Sequence, residues 1–521
     1  MADTPKVNLT IEGRPISVPP GTNLIEAAKQ AGVLIPHYCY HPGLPVAGVC
    51  RMCLVEVEKA PKLAPACATA VAEGQVVHVH SEKARDARKG VLEMLLINHP
   101  LDCPICDQSG ECELQDYTYQ EGRADSRYRE PKRFNPVEDF GGDVLYVPNR
   151  CILCTRCVRF MGDVAHDEVL NVSERGDRAF IGKFEGKDLT HAWAANVVDL
   201  CPVGALLSKD FLNKARAWEL DRTASVCTGC SQGCNIIVET RDNVVMRFRP
   251  RSNESVNQFF MCDEGRLGYR EFNRPTRLEV PSILGPKGHE AVDWDVALEA
   301  AARLLRGKRA YVVASPDTSN ETLHLLGRLM RKSNGVGLYR VPQGPEAPLP
   351  GAPDLALRVD RAANGRGAEA LGFTRSDTPF SGLKAGDALI LVDQDVTGAD
   401  LAAVGQASAV IVLASWMPAG LPRAEVVLPI ATTVEEEGTL TNLRGRVQRF
   451  MQAKAAPGLA RPSWFVASDL LGATGESAAY FTAGDVFAAM SAAHEAFAGL
   501  SYDTLGMRGL PIAGAMAGAT A

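Results

Sequence analysis

The chain has 521 residues, 15 of them cysteine, and a formal net charge of −7. The length excludes one small module and suggests roughly three to five domains of about 100–200 residues. The ordinary composition excludes a mainly disordered or fibrous chain, and the acidic balance offers no electrostatic footprint for nucleic acid or an anionic membrane.

The N-terminal run Met-Ala-Asp-Thr-Pro-Lys has no basic segment followed by an apolar one, so no secretory leader or transit peptide is expected. Residues 6–18 read as two short alternating strands around a Glu-Gly turn. Asn23 to Gly32 reads as a helix, with Leu24, Ile25, Ala28 and Ala31 near helical spacing. Strand, turn, strand and helix before a cysteine-bearing loop suggest a small β-grasp domain of ferredoxin type. A second helix is expected from about Glu82 to Asn98. The stretch 100–270 is loop-rich, dense in Cys, Gly, Pro and Arg, and thin in core residues. Bound metal would supply part of its folding energy.

After about 275 the texture changes. Ala310–Ala314, Ala388–Val392, Val410–Ala414 and Val426–Ile430 are continuous apolar runs of the kind found in buried parallel strands. Helical patterns at Val296–Arg306 and Glu321–Lys332 complete an open α/β sheet. Residues 343–385 give no clear pattern, and the Ala/Gly-rich stretch Ile512–Ala521 reads as a loose tail. No apolar run reaches the ~18 residues of a membrane span.

All 15 cysteines fall between Cys39 and Cys262. In a reducing compartment such clusters are read first as metal or redox sites, and an odd total argues against a fully paired disulfide framework. Cys39, Cys50, Cys53 and Cys67 combine a Pro/Gly-rich loop, a C-x2-C pair and a distant fourth thiolate, as plant-type [2Fe–2S] ferredoxins do. The bland alternative is a four-cysteine zinc site. His37 and His41 lie beside this group. Cys39-Tyr40-His41 resembles half of a Rieske signature, but the other half is missing, so both histidines are expected to be outer hydrogen-bond donors or plain loop residues.

His99, Cys103, Cys106 and Cys112 make a second group, with histidine as the fourth donor of a [4Fe–4S] cluster. A neutral imidazole leaves such a cluster one negative charge short of an all-cysteine one. The alternative is that a helix merely ends at His99. Cys151, Cys154 and Cys157, followed by a remote Cys201-Pro202, match the bacterial [4Fe–4S] pattern, in which one loop holds three corners of a cubane. Cys227, Cys230, Cys234 and Cys262 also suit [4Fe–4S], with a zinc ribbon as the alternative. Every cysteine is then assigned and none remains as a nucleophile. No G-x-G-x-x-G between strand and helix and no P-loop occurs, so NAD, FMN and ATP sites are not expected here, nor is molybdopterin. Clusters alone move single electrons, and the expected role is a wire.

The runs Pro36-His-Tyr-Cys, Cys50-Arg-Met-Cys, His99-Pro-Leu-Asp-Cys-Pro-Ile-Cys-Asp and Arg150-Cys-Ile-Leu-Cys-Thr-Arg-Cys resemble the family of large (75 kDa type) peripheral-arm iron–sulfur subunits of NADH-quinone oxidoreductase, respiratory complex I. The resemblance is dense over about residues 1–275. Val426-Val-Leu-Pro and the run from Glu437 to Gln448 are similar to that family's molybdopterin-oxidoreductase-like region.

The resemblance implies a multidomain α+β and α/β chain. Its expected parts are 1–80, a β-grasp [2Fe–2S] domain; 81–120, a [4Fe–4S] domain with one His and three Cys ligands; 121–219, a ferredoxin-like [4Fe–4S] domain; 220–275, a molybdopterin-oxidoreductase-type [4Fe–4S] domain; and 276–521, a reduced, cofactor-free α/β domain. It implies electrons arriving at the Cys39 group from the flavin- and NADH-binding subunit. They pass to the Cys151 group, then the His99 group, and on toward quinone. The Cys227 group lies off this path. Implied partners are the flavin subunit, a [2Fe–2S] subunit and an 8Fe ferredoxin-like subunit, with no nucleic acid and no direct membrane insertion. The implied place is the cytoplasmic face of a bacterial inner membrane. The chain would be a subunit of the NADH:quinone oxidoreductase without a complete active site of its own. The competing readings are the cluster-bearing diaphorase-side subunit of a soluble NAD-linked hydrogenase or formate dehydrogenase, and a multi-zinc scaffold.

Overall fold

The computed structural model describes residues 5–421, 423–477 and 479–514. The end of the Ala/Gly-rich tail, 515–521, lies outside them. The chain divides into two units, Met1–Leu220 with Leu349–Pro353, and Asp221–Pro348 with Asp354–Ala521.

The first unit opens on the expected hairpin. Strands Val7–Ile11 and Arg14–Val18 pair antiparallel around Glu12 and Gly13. Both turn residues have positive φ (49° and 74°), the backbone a tight hairpin needs, and glycine adopts it without strain. Helix Leu24–Gln30 follows, capped by the Asn23 side chain, which accepts from the Glu26 amide at 3.0 Å. The chain returns as strand Gln75–His78, parallel to the first, beside Leu54–Val57 and Ala64–Pro65. Leu9, Ile11, Val18, Leu24, Ala28, Val55 and Val77 form the core between sheet and helix. This is the β-grasp arrangement.

Helix Glu82–Leu96 ends two residues short of the expected Asn98. Its Arg88 is fully buried and donates to the carbonyls of Val79 (2.9 Å) and Leu54 (3.3 Å), with Glu121 as its ion-pair partner. A buried arginine with this many acceptors ties the helix to both the grasp sheet and the helix Glu113–Glu121. The remainder of the unit holds two small sheets, formed by Glu138–Gly141, Val144–Tyr146 and Leu206–Ser208, and by Leu170–Ser173 and Phe180–Lys183, with short helices that include Arg156–Arg159 and Asn196–Leu200.

In the second unit a three-stranded antiparallel sheet (Asp221–Val226, Asn235–Arg241, Val244–Pro250) precedes an eight-stranded sheet. Strands Val426–Pro429, Ala409–Ala414, Ala388–Val392, Ala310–Ala314, Val336–Tyr339 and Thr374–Arg375 run parallel in that spatial order. A hairpin, Ser282–Gly285 with Gly288–Ala291, adds antiparallel at one edge. Helices Trp294–Leu305, Asn320–Lys332, Ser463–Ala473 and Ala483–Ala493 share a core with one face, including Val312, Ile390, Ile411, Leu326 and Leu470. The other face packs Tyr311, Val313, Leu389 and Val412 against Phe380, Leu383 and Val404. Strand order reverses between Ala310–Ala314 and Ala388–Val392, the switch point of a doubly wound α/β fold.

Candidate metal centres

All 15 cysteines are free thiols. Cys39, Cys50 and Cys53 sit on the loop that leaves the grasp helix, and Cys67 joins them from the turn Ala66–Ala68 after the strand Ala64–Pro65. Gly48 (φ 62°) and Arg51 (φ 59°) curl this loop through the left-handed region on either side of Cys50. Backbone amides consequently turn toward sulfur, and the Cys39 amide donates to Cys50 Sγ at 3.4 Å. Hydrogen bonds between side chains link Cys39 to Cys50 and Cys67, and Cys53 to Cys67, so the four sulfurs form one network. Bonds from Cys50 and Cys67 hold the Cys39 thiol well below the usual range. His37 bonds the Ile35 carbonyl (2.7 Å), and His41 accepts from the Gly43 amide (3.1 Å). Burial, then Arg156 and Arg159, push His41 down to about 3. Both histidines serve the loop here.

The second group begins just beyond the helix Glu82–Leu96. Cys106 and Cys112 are buried, whereas Cys103 is exposed. Burial raises the Cys112 thiol to about 11, with Cys106 and Cys103 adding to the effect. His99 is pushed down to about 4, chiefly by burial, so its ring is neutral at pH 7. Its Nδ1 is buried with no hydrogen-bond partner among the described residues. Such an orphaned nitrogen costs free energy unless something binds it, and a neutral imidazole is the state that binds a metal.

The third group lies on a tighter loop. Leu153 (φ 53°) and Thr155 (φ 60°) are both left-handed without being glycine, costing of order 1 kcal/mol each. Leu153 donates its amide to Cys151 Sγ at 3.4 Å. Cys201 receives amide hydrogen bonds from Val203, Ala205 and Leu206. Cys151, Cys154, Cys157 and Cys201 line one cavity of about 20 Å³ with Ile152, Ile181 and Val203. Burial raises Cys151 and Cys201 to about 11 and Cys154 to about 12. As free thiols these groups are neutral, so taking up iron must release protons.

The second and third groups interlock. Glu113, next to Cys112, donates its amide to the carbonyl of Pro202, next to Cys201, at 3.1 Å. Arg150 bonds Asp102 at 2.6 and 2.9 Å and the Gly204 carbonyl at 3.4 Å. A Cβ on Gly204 would lie 2.3 Å from Cys106 Sγ and 3.1 Å from Gln108 Cβ. Gly204→Ala is therefore expected to displace the Cys106 sulfur. A free thiol can rotate away cheaply, but a sulfur committed to iron cannot. The expected result is near-normal folding of the iron-free chain with loss of most second-group iron, read by iron analysis and electron paramagnetic resonance.

The fourth group lies in the second unit. The Cys227 amide donates to the Cys234 carbonyl (2.8 Å), and Gly265 donates to Cys262 Sγ (3.3 Å). A Cβ at Gly265 would stand 3.2 Å from Cys227 Sγ and 3.3 Å from Cys262 Sγ, so this glycine leaves room where two sulfurs converge. Backbone amides of Arg358 and Gln232 face Cys230, and burial raises its thiol. Each group thus has donors and surroundings that fit an iron–sulfur cluster. Among the described residues, no three His, Cys, Asp or Glu side chains converge on one point as they would around a single ion. The fold gathers the cysteines of each spacing group. The charged groups that act on His99 are Asp102, Lys132 and Arg150 rather than the cysteines of its spacing group, and its cavity is shared with Cys151, Ile152 and Leu153.

Sequence reasoning missed Arg156 and Arg159. Arg156 is buried and donates to the Tyr40 carbonyl (2.7 Å) and the Leu200 carbonyl (3.2 Å), with Glu113 at 3.5 Å. Arg159 donates to the carbonyls of Cys39 (2.6 Å) and Cys154 (3.2 Å). The signal available was two arginines inside Cys-Thr-Arg-Cys-Val-Arg, a place too crowded with sulfur for an idle surface charge.

Comparison with known proteins matches the chain segment by segment. Residues 4–82 match a 2Fe-2S iron-sulfur cluster binding domain. Residues 88–127 match the NADH-ubiquinone oxidoreductase-G iron-sulfur binding region, and 141–207 the ferredoxin-like domain of NADH-quinone oxidoreductase subunit 3. Residues 220–274 match the molybdopterin oxidoreductase Fe4S4 domain, and 360–473 molybdopterin oxidoreductase. The G subunit of NADH-quinone oxidoreductase from Rickettsia bellii is 40% identical over 340 residues, 65% of this chain and 50% of that protein. Over this span the chain is similar to the G-type subunits of NADH-quinone oxidoreductase. The mitochondrial NADH-ubiquinone oxidoreductase 78 kDa subunit of Candida albicans is 39% identical over 389 residues, 74% of this chain and 52% of that protein. The chain spans about half the length of these curated relatives. A chain from the crystal structure of an NAD+-reducing [NiFe]-hydrogenase in the H2-reduced state is 32% identical, covering 40% of this chain and 90% of that one, with a TM-score of 0.37. The chain carries 2Fe-2S and 4Fe-4S iron–sulfur binding domains, a β-grasp ferredoxin-like start and a molybdopterin-oxidoreductase-like α/β end. Among the described residues, no helix is long and apolar enough to cross a membrane.

Proposed function

We propose that this chain is the large electron-transfer subunit of an NADH-quinone oxidoreductase, carrying one [2Fe–2S] and three [4Fe–4S] clusters. Cys39, Cys50, Cys53 and Cys67 hold the [2Fe–2S] cluster. His99, Cys103, Cys106 and Cys112 hold one [4Fe–4S] cluster; Cys151, Cys154, Cys157 and Cys201 a second; Cys227, Cys230, Cys234 and Cys262 a third. The five domains keep the boundaries drawn from the sequence.

One observation carries the reading. Within the first unit, the loops of the first three groups are joined by direct bonds: Arg159 spans Cys39 and Cys154, and Glu113 bonds Pro202. Backbone-linked loops keep neighbouring clusters close and rigid, as electron tunnelling requires. The third group bonds to both of the others, which supports the order first, third, second that the family resemblance implies; Tyr38, beside Cys39, also packs edge-on against Tyr117 of the helix that follows Cys112, with 5.4 Å between ring centres. Exposure of Cys103 favours the second group as the exit. The clusters supply one-electron chemistry when bound, while this chain's residues hold, space and desolvate them. Electrons would come from a flavin- and NADH-binding subunit and leave through an 8Fe ferredoxin-like subunit toward quinone, with a [2Fe–2S] subunit as a further neighbour. The complex would be peripheral on the cytoplasmic face of a bacterial membrane.

The test is isolation of the chain with its native partners, followed by metal analysis and low-temperature electron paramagnetic resonance. About fourteen irons per chain, one [2Fe–2S] and three [4Fe–4S] signals, and co-isolated membrane subunits with quinone reductase activity are expected. Partners confined to a soluble hydrogenase or formate dehydrogenase would overturn the complex I assignment. Four zinc ions and no iron would overturn electron transfer altogether.

A further inference from the structure

We propose that Arg156 and Arg159 form one shared cationic bridge between the Cys39 and Cys154 loops, which raises the reduction potentials of both clusters together. The inference rests on the electron-transfer reading above.

The geometry is specific. The two arginines sit one turn apart at the ends of the short helix Arg156–Arg159, inside the third group's own loop. Both reach back to the first group: Arg156 to the Tyr40 carbonyl at 2.7 Å, Arg159 to the Cys39 carbonyl at 2.6 Å. Each also bonds a carbonyl flanking or belonging to a third-group cysteine, Leu200 at 3.2 Å for Arg156 and Cys154 at 3.2 Å for Arg159. With the Pro45 carbonyl, which also accepts from Arg159, five carbonyl acceptors, three on the first group's loop and two on the third group's side, fix two positive charges between the two loops. A guanidinium suits this because its planar fork can serve acceptors on different segments at once.

The electrostatic consequence follows from charge. A thiolate-ligated cluster is anionic and becomes more so when reduced. A cation held nearby favours the reduced state, and burial limits screening by salt. Arg156 is 4% exposed and Arg159 half-buried. Compensation is partial: Glu113 stands 3.5 Å from Arg156, and Asp163 is the carboxylate acting on Arg159. The bridge therefore places positive charge where both clusters share it. It also screens the repulsion between two reduced neighbours, allowing an electron on one to be followed by an electron on the other.

The experiment is a redox titration of the full chain, clusters in place, followed by electron paramagnetic resonance of the [2Fe–2S] signal and the third-group [4Fe–4S] signal. Arg159→Gln and Arg156→Gln are each expected to lower both midpoints, on the order of a tenfold change in each reduction equilibrium, or about 59 mV for one electron. Arg159→Lys, which keeps the charge but loses the fork, should restore most of the shift. If Arg156→Gln fails to assemble, Arg159→Gln decides the matter, because its side chain is the less buried. Unchanged midpoints at wild-type iron content, or movement of only one cluster, would overturn the bridge. The wild-type spectrum separates the two possible failures. No cluster signal refutes the electron-transfer reading and this one with it, whereas normal wild-type signals untouched by Arg159→Gln refute the bridge alone.

Discussion

Replacing Cys154 with alanine is expected to stop electron transfer beyond the [2Fe–2S] cluster, with at least a hundredfold loss of quinone reductase activity in the assembled complex. The expectation follows from where Cys154 sits. Its thiol is buried and shares one small cavity with Cys151, Cys157 and Cys201, and its carbonyl is tied through Arg159 to the carbonyl side of Cys39. In the proposed order that cluster stands between the first and second groups, and loss of this ligand removes one of its corners. Nothing else among the described residues of the first unit bridges those two groups with a redox centre. Rapid reduction by NADH should still produce the [2Fe–2S] signal, while the second-group signal stays oxidised. Cys230→Ala gives the contrasting case. Cys230 lies in the second unit among the backbone amides of Arg358 and Gln232. Its loss should lower stability and assembly yield yet leave turnover per assembled complex close to wild type. If assembled Cys230→Ala complex lost turnover as fully as the Cys154 variant, the off-path placement of the fourth group would fail.

Much of this arrangement was legible in the sequence, for physical reasons that differ by element. The hairpin at 7–18 could be read because a half-buried strand alternates and its Glu-Gly turn demands positive φ. Strands Ala310–Ala314 and Ala388–Val392 could be read because strands buried on both faces tolerate only apolar residues. The cysteine groups could be read because one loop can present several donors only at short, fixed spacings. The hairpin Ser282–Ala291 escaped notice. Its outer strand, Gly-His-Glu-Ala, is fully exposed and has no large apolar residue, and its inner strand offers only the pair Ile283-Leu284. Helices Ser463–Ala473 and Ala483–Ala493 escaped for the opposite reason: they are small and apolar on nearly all sides, so no single stripe stands out. Arg156 and Arg159 were invisible as a pair because their acceptors are backbone carbonyls up to 120 residues distant. Carbonyls carry no side-chain signature, and only the fold reveals them.

The same blindness hid a set of buried acids in the second unit, and these predict an unusual dependence of stability on pH. Burial lifts Glu436 from 4.5 to about 8 and Glu321 from 4.5 to about 7, and lifts Asp317 and Asp393 to about 7 and about 6. The proximity of Glu321 and Asp393 adds to the rise at Glu436. Each folded value stands above the unfolded one. Their contribution to stability is therefore fully present below about pH 4, where both states are protonated, and is lost as pH rises through 6 to 8, when the folded state must ionise a buried acid or unfold. Most carboxylates act in the opposite direction. Glu436 is the best single probe. One of its oxygens accepts from the Ser463 hydroxyl at 2.9 Å, and the other from the Ser463 amide. Glutamine can keep the amide bond and donate to the hydroxyl oxygen, while that hydroxyl turns its own proton to Thr322 Oγ1, 2.7 Å away. Glu436→Gln thus copies the protonated acid at every pH. A rise of about 3.5 units, at about 1.36 kcal/mol per unit, gives an upper bound of roughly 5 kcal/mol recovered at pH 9. Denaturant titrations of the second unit's unfolding, followed in the full chain from pH 5 to 9, should show wild-type stability falling with pH and a shallower fall in Glu436→Gln. Equal slopes for the two proteins would mean that Glu436 is ionised in the folded state, against the burial that surrounds it.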